Sequence, residues 1–283
     1  MAKTRFVLIG PGAVGKVLAR RLAASGWQCA GVCGRGSAAG RRLAKELGAP
    51  YWNSVEKIEL KSGFILLPVG THMIAPIANE LSKLPLNWPK ISVLHHSGVL
   101  DTKPLAPLQK VGATVGACHP FMTFPRFGGK VKAGSKEDRN DPKYPPFFGI
   151  DGDERGLAAC QKVVKACKSN SFVVKGGDRV AYHAAAVMAC TLLGANIAMS
   201  VDILRKVGIS EKSARDAVMS IAQETLANFS EFGIEKSWTG PPVRGDRKTV
   251  AAHTKAIRKV SPETAKVYKS LSEWVMRHAA KRT

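Results

Sequence analysis

The sequence predicts a doubly wound parallel α/β sheet over residues 1–177, followed by an all-helical domain over residues 178–283. Three observations carry this reading. A glycine turn, Gly10-Pro11-Gly12-Ala13-Val14-Gly15, stands between the apolar run Phe6-Val7-Leu8-Ile9 and a segment with helical spacing at Val14, Val17, Leu18 and Leu22. Short apolar runs then alternate with helix-patterned segments as far as Val174, as in a parallel sheet with helices on both faces. From Asp178 onward the pattern is helical.

A bare G-x-G-x-x-G is a weak signal, but strand before and helix after make this one a dinucleotide-binding fingerprint. Gly10 allows the tight turn, Gly12 lets the backbone approach a pyrophosphate, and Gly15 lets helix pack on strand. The helix start offers free N–H groups and its positive dipole end to the phosphates. A glycine-rich turn that binds nothing is the competing reading, and position, spacing and context all argue against it.

The first helix ends near Ser25-Gly26, and a second strand, Cys29–Cys33, runs into Gly34-Arg35-Gly36-Ser37. An NAD site usually carries an acidic residue here, roughly 20 residues beyond the glycines, to hold the ribose 2′-hydroxyl. This chain carries Arg35 and Ser37, with Arg41 and Arg42 beyond them. A carboxylate repels a 2′-phosphate and a guanidinium grips it, so NADP is the expected cofactor. One of Arg41 and Arg42 is expected merely to face solvent. A helix ends at Gly48, a short strand lies near Pro50-Tyr51-Trp52, and clearer strands follow at Phe64–Val69, Ile91–Leu94 and Ala113–Ala117. Ligands bind at the carboxyl ends of such strands, which places Pro68, Val69, His95, Ser97 and His119 near a nicotinamide.

Between Arg126 and Pro146 the pattern lapses into Gly, Lys, Asp and Pro, read as a surface insertion in preference to a lid. A strand at Phe147–Ile150, a helix with Leu157, Cys160, Val164 and Cys167 on one stripe, and a strand at Phe172–Val174 complete the sheet. Lys175-Gly176-Gly177-Asp178 reads as the boundary. The segment Ala184–Val201 carries no charge and approaches the length of a membrane span. Its small and polar residues, Thr191, Gly194, Asn196 and Ser200, favour the buried central helix of the second domain. Ser210 caps the next helix, whose stripe is Ala214, Val218, Ile221, Thr225 and Phe229. A Gly/Pro loop from Thr239 to Asp246 follows, and the last helix, opened by Ser261-Pro262, has its inward stripe at Val267, Leu271, Trp274, Val275 and His278.

Composition bounds the function. The chain is 45% hydrophobic, as globular proteins are, and its formal charge of +22 favours anionic ligands. No acidic residue precedes Glu46, so the positive field surrounds the glycine turn. Six scattered cysteines without a C-x-x-C pair argue against zinc and disulfides, and Cys160 and Cys167 read as core residues. The start of the chain shows no signal-peptide pattern, giving a cytoplasmic expectation.

Hydride transfer to C=O or C=N needs a proton donor and positive or hydrogen-bonding groups at the heteroatom. The candidates are His95, Ser97, His119 and Thr123 in the first domain, and Tyr182, His183, Thr191, Arg244, Asp246 and His253 in the second. His183, in a helix otherwise lined with Ala and Val, is either a satisfied core histidine or a functional acid. His119 either donates a proton or supports the turn before Pro120. Arg244 and Asp246 form either an exposed ion pair or an anion-binding arm.

The glycine turn, His95-His96-Ser97-Gly98, His119–Phe124, Tyr182–Ala186 and the stretch from Thr239 through Arg244-Gly245-Asp246 to Thr249 and His253 together resemble a family of reductase-like proteins. These pair a Rossmann-like NADP-binding domain, similar to that of deazaflavin-dependent NADP reductases, with a helical C-terminal domain of unknown function. The resemblance implies the architecture of the 6-phosphogluconate dehydrogenase and ketopantoate reductase superfamily, with homodimers through the helical domain and the active site between domains. Superfamily dehydrogenases often place a lysine at the start of the central helix, and His183 stands there as the implied proton donor. The family usually has Asn at Thr191 and Gln at Met122, so two amides that could meet substrate are missing. The resulting expectation is an NADP(H)-dependent oxidoreductase of a small anionic carbonyl or imine compound. An NADP-binding sensor without catalysis is the alternative, and a nucleic-acid binder with a Rossmann shell is disfavoured by the lack of a recognition motif.

Overall fold

In the computed structural model, which describes residues 3–124 and 146–279, the chain forms two compact units, Met1–Val187 and Met188–Thr283. The strands of the first unit are β1 (Arg5–Ile9), β2 (Gln28–Cys33), β3 (Tyr51–Trp52), β4 (Gly63–Leu67), β5 (Ile91–His95), β6 (Thr114–Phe121), β7 (Phe147–Asp151) and β8 (Asn170–Val173). They form one sheet in the order β3-β2-β1-β4-β5-β6-β7-β8. The crossing from β1 outward to β2 and β3, then back across to β4, is the reversal of a doubly wound sheet.

Helices α1 (Ala13–Ala24), α2 (Ala38–Glu46), α3 (Ile74–Leu81), α4 (Ala106–Lys110) and α5 (Glu154–Ala166) cover the two faces. The strands show no polar alternation because each face has its own core. Phe6 and Leu8 of β1 join Leu18, Leu22, Leu43 and Val163, which come from α1, α2 and α5. Val7 and Ile9 join Ile74, Ile77, Leu81 and Leu108, from α3 and α4. Cys29, Cys33, Cys118, Cys160 and Cys167 are free and buried, and burial raises the Cys167 thiol to about 12, which fits a packing role.

The sheet departs from the expected all-parallel pattern at its far side. β6 runs past Ala117 through Cys118, His119 and Pro120 to Phe121 and pairs antiparallel with β7, while β7 and β8 are parallel. The β5–β6 register ends at His95↔Ala117, so the last residues of β6 have β7 as their strand neighbour on one side only. Pro120 has no N–H to donate, and a stretch with one open edge tolerates it.

The long helical stretch is interrupted. Helix α6 (Arg179–Val187) passes into a π-helical turn, Met188–Leu192, and then into α7 (Leu193–Lys206). The second unit continues with α8 (Glu211–Phe232), a short α9 (Ile234–Ser237), α10 (Arg247–Val260) and α11 (Pro262–Ala279). Ser210 caps α8 by accepting from the Ser213 N–H at 3.2 Å, and Ser261 accepts from the Thr264 N–H at 3.2 Å at the start of α11.

Among the described residues nothing buries the apolar central helix, contrary to the sequence expectation. Gly176–Lys206 has a mean hydropathy of 1.8 over its most apolar window, with none of that window buried, and is long and apolar enough to cross a membrane by length and composition. In α8 the expected stripe is buried at Ala214 and Val218, but Ile221 is 67% exposed. In α11 the inward positions are Ala265, Ser272 and Ala279, while Val267, Leu271 and Trp274 face outward. Small residues seven apart let α11 lie close against Val250, Thr254 and Ile257 of α10, so the bulky stripe is turned away.

The glycine turn separates two effects that a single substitution series can distinguish. A Cβ on Gly15 would lie 2.2 Å from the Gly10 carbonyl oxygen, whereas one on Gly12 would meet nothing within 4 Å. Gly15→Ala is therefore expected to destabilise the chain by about 1–3 kcal/mol in urea denaturation. Gly12→Ala should cost less than about 1 kcal/mol.

Candidate active site

The turn after β1 has the geometry that close phosphate approach requires. Gly10 has φ +101°, and a Cβ there would sit 2.7 Å from Val69 Cγ1 and 2.9 Å from the Pro68 carbonyl oxygen. Pro68 and Val69 thus pack the end of β4 against the turn. Gly12, at the N-cap of α1, makes no side-chain cap bond, and no acidic residue stands in the first turn. The helix start presents its first N–H groups and its positive dipole end, and among the described residues nothing lies within 4 Å of a Cβ placed on Gly12. These residues fit a dinucleotide pyrophosphate.

Beyond β2, Arg35 is exposed in the turn Gly34–Ser37, and Ser37 caps α2 by accepting from the Gly40 N–H at 3.0 Å. Arg41 and Arg42 are both exposed, and Arg41 is tied back, donating to the Gly36 carbonyl at 2.6 Å. The sequence reading passed over Tyr51, whose hydroxyl reaches the same turn; an aromatic in a two-residue strand gave no warning of it.

At the ends of β4 and β5, Thr71 and Ser97 share a hydroxyl hydrogen bond of 3.1 Å. Ser97 Oγ also accepts from the Val99 and Leu100 N–H groups at 3.3 and 3.4 Å, closing the loop. His95 is fully buried with both ring nitrogens engaged. Nδ1 accepts from the Ser97 N–H at 3.2 Å, so Nε2 carries the proton donated to the Asp101 carbonyl at 2.7 Å. His96, which the sequence reading did not single out, donates from Nδ1 to the Cys118 carbonyl, and its buried Nε2 has no partner among the described residues. Burial lowers both rings to about 4, so both are neutral at pH 7.

His119, Tyr182 and His183 come together in the first unit. His119 Nδ1 is 2.7 Å from the Tyr182 hydroxyl, and the His119 and His183 ring centroids are 5.6 Å apart. Gly98 lies beneath them: a Cβ there would be 2.2 Å from His183 Cδ2 and 3.0 Å from His119 Nε2. Gly149, opposite His119 in the β6–β7 register, leaves the gap that Tyr182 fills, since a Cβ would be 2.5 Å from the phenol oxygen. Burial, reinforced by the His183 and Arg179 charges, lowers His119 to about 3. Burial raises Tyr182 to about 12, against the pull of the Arg179 charge.

Arg179 is the second residue that sequence reasoning missed, and the one charge at the head of an apolar helix was its available signal. It is 0% exposed, donates from Nη2 to the Ser97 carbonyl at 2.9 Å, and among the described residues has no hydrogen-bond partner at Nε or Nη1. Burial pushes its pKa down, while the Asp151 charge holds it up. It ties α6 to the Ser97 loop and sets a positive charge beside Tyr182, its guanidinium carbon 5.9 Å from the ring centroid.

The other candidates are placed differently. Thr191 is exposed in the π-helical turn of the second unit, with its hydroxyl 3.6 Å from Cys190 Sγ. Asp246 caps α10, accepting from the Thr249 N–H at 3.0 Å and the Thr249 hydroxyl at 2.6 Å, and those bonds lower its pKa. Arg244 is exposed nearby, and His253 Nδ1 is 2.8 Å from the Tyr268 hydroxyl. Thr123 is exposed. The expected insertion at 126–146 lies, except for Pro146, outside the described residues. Among the described residues no group of three His, Cys, Asp or Glu is placed to hold a metal.

The buried histidines predict a pH dependence of stability. His95 and His96 at about 4 and His119 at about 3 bind protons less readily folded than unfolded, where the value is 6.5. Their contribution is complete above pH 6.5 and is lost as pH falls toward 4. By pH 5 the loss should reach roughly 2 kcal/mol per buried histidine, read as a lower urea midpoint than at pH 7.5. A midpoint flat from pH 7.5 to 5 would contradict the assignment.

The profile of a domain of unknown function, DUF2520, matches residues 146–275, from the residue before β7 into α11. The chain matches no curated protein by sequence. A Bacteroides fragilis protein described as an NADP oxidoreductase is similar over 98% of this chain and 99% of its own, with TM-score 0.73 and 18% identity. A Thermotoga maritima protein is similar over 98% of both chains, with TM-score 0.73 and 22% identity. A reductive aminase of Aspergillus terreus, solved with NADPH and ethyl-5-oxohexanoate, is similar over 98% of this chain and 94% of its own, with TM-score 0.67 and 15% identity. At these identities the likeness establishes the fold: a Rossmann-like, parallel-dominated sheet followed by a helical region.

Proposed function

We propose that the chain is an NADP(H)-dependent oxidoreductase that reduces the C=O or C=N bond of a small anionic substrate. The observation that carries the reading is the convergence of His119, Tyr182 and His183 over Gly98. The Ser97–Thr71 hydrogen bond links that loop to the β4 end, which packs against the glycine turn. The fold likeness to proteins solved with NADP or NADPH supports it. Gly10–Gly15, Pro68 and Val69 hold the dinucleotide, and Arg35 with Ser37 meets its 2′-phosphate. The architecture is that of the 6-phosphogluconate dehydrogenase and ketopantoate reductase superfamily, and ketopantoate-like 2-oxoacids and cyclic imines are the substrate classes to examine first.

Bound NADPH would supply a hydride to the substrate carbon. The heteroatom then requires a proton, and His183 is its donor. The Tyr182 hydroxyl donates to His119 Nδ1, which leaves the His119 proton on Nε2, the atom beside Gly98. His119 stays neutral and offers a hydrogen bond to the heteroatom, while the buried Arg179 charge stabilises negative charge developing there. Replacing His183 by Gln should lower kcat about 10²- to 10⁴-fold with NADPH affinity unchanged. A kcat within about threefold of the parent would place the donor elsewhere. Tight NADPH binding without turnover of any 2-oxoacid or imine would favour the alternative, an NADP-binding sensor.

The second unit supports a homodimer. Met188, Leu192 and Ile221 are 64%, 51% and 67% exposed, and a second copy laid against them covers the apolar helix of this unit. Such a dimer is consistent with a cytoplasmic protein. Light scattering should give twice the chain mass, and Ile221→Asp should shift it toward the monomer. A monomeric parent, or one recovered only with detergent or lipid, would overturn the dimer.

A further inference from the structure

The turn that carries Arg35 is held from below by a side chain of β3. The Tyr51 hydroxyl accepts from the Gly36 N–H at 2.9 Å and donates to the Gly34 carbonyl at 2.8 Å, bracketing Arg35 on both sides. Arg41 adds a second tether, donating to the Gly36 carbonyl at 2.6 Å while its guanidinium carbon lies 5.6 Å from the Tyr51 ring centroid. Two glycines make room. A Cβ on Gly34 would be 2.8 Å from Pro11 Cδ and 3.2 Å from the Tyr51 hydroxyl oxygen; one on Gly40 would be 2.7 Å from Pro11 Cγ and 2.8 Å from Tyr51 Cε2. Pro11 belongs to the glycine turn. Tyr51, the glycine turn and the Arg35 turn are therefore packed as one unit, with the Arg35 side chain left exposed.

This arrangement matters for an adenosine 2′-phosphate because a guanidinium grips a phosphate well only when its backbone is held still. Gly34 and Gly36 are free to take other conformations, and Gly36 sits at φ +81°. The turn's own bonds, Gly36 N–H to the Gly34 carbonyl at 2.8 Å and Arg41 to the Gly36 carbonyl, close it locally, and the Tyr51 oxygen ties both of its glycines to β3. We propose that Tyr51 is a positioning residue that sets the preference for a 2′-phosphorylated nucleotide over its 2′-hydroxyl counterpart, acting through Arg35. The proposal rests on the NADP reading above and extends it to a residue that touches no part of the catalytic cluster.

Tyr51→Phe removes one oxygen and keeps the ring, so packing against Gly40 and Arg41 persists. Titration calorimetry with NADPH and 2′,5′-ADP should show affinity weakened on the order of tenfold, while NADH and 5′-AMP stay within about twofold. In an Arg35→Ala background the same step should cost no further NADPH affinity, since there is no guanidinium left to misplace. If Tyr51→Phe does not fold, Arg41→Gln, which removes the second tether, must show the same selective loss and must lose it in the Arg35→Ala background, where a direct contact of Arg41 with the phosphate would persist. Equal weakening of NADPH and NADH, unchanged affinity for both, or an undiminished loss in the Arg35→Ala background overturns the proposal. A parent protein that fails to bind NADPH overturns the cofactor reading itself, whereas a parent that binds NADPH with discrimination indifferent to Tyr51 overturns this proposal alone.

Discussion

The close approach of α1 to the end of β1 is the constraint on which the rest of the first unit depends. A single methyl group at Gly15 would lie 2.2 Å from the Gly10 carbonyl oxygen. Because that methyl is absent, the helix start sits against the strand end, with Pro68 and Val69 of the β4 end beside it. The unsatisfied N–H groups of α1 then open onto the same edge of the sheet as the loops after β4 and β5. The other contacts at that edge extend this one: Pro11 wedges into the gaps at Gly34 and Gly40, and Thr71 reaches Ser97.

The cluster of His119, Tyr182 and His183 depends on burial more than on charge pairing. Three histidines, His95, His96 and His119, are neutral at pH 7 because the fold takes them out of water, and a buried guanidinium stands among them. An uncharged His119 does not repel the Arg179 guanidinium. Two Arg179 nitrogens without a partner among the described residues are costly to bury, and an anionic ligand of the kind proposed above would offset that cost. The same burial that tunes these rings makes the fold sensitive to acid.

The two units differ in how complete they are within one copy. The sheet has a core on each face, with Leu8, Ile65 and Leu66 fully buried. The helical unit buries mostly small side chains, among them Ala214, Ala265, Ser272 and Ala279, and leaves Met188, Ile221 and Trp274 outside. Covering that surface is what the homodimer proposed above would do.

What the sequence alone determined is what short-range chemistry dictates. The turn at Gly10, the close packing at Gly15, the strand and helix alternation, the turn at Arg35, and the caps Ser210 and Ser261 all follow from residues a few positions apart. Tertiary structure decided what depends on register and on which face an element turns inward. Tyr182 meets His119 only because β6 overruns β5 and sets Gly149 opposite His119, which no periodicity encodes. Tyr51 reaches Gly34 and Gly36 across the sheet, and Arg179 reaches Ser97 over 82 positions of sequence separation. The stripes of α8 and α11 were misjudged for a related reason. An apolar stripe says that a face is to be covered, and it does not say whether the same chain covers it.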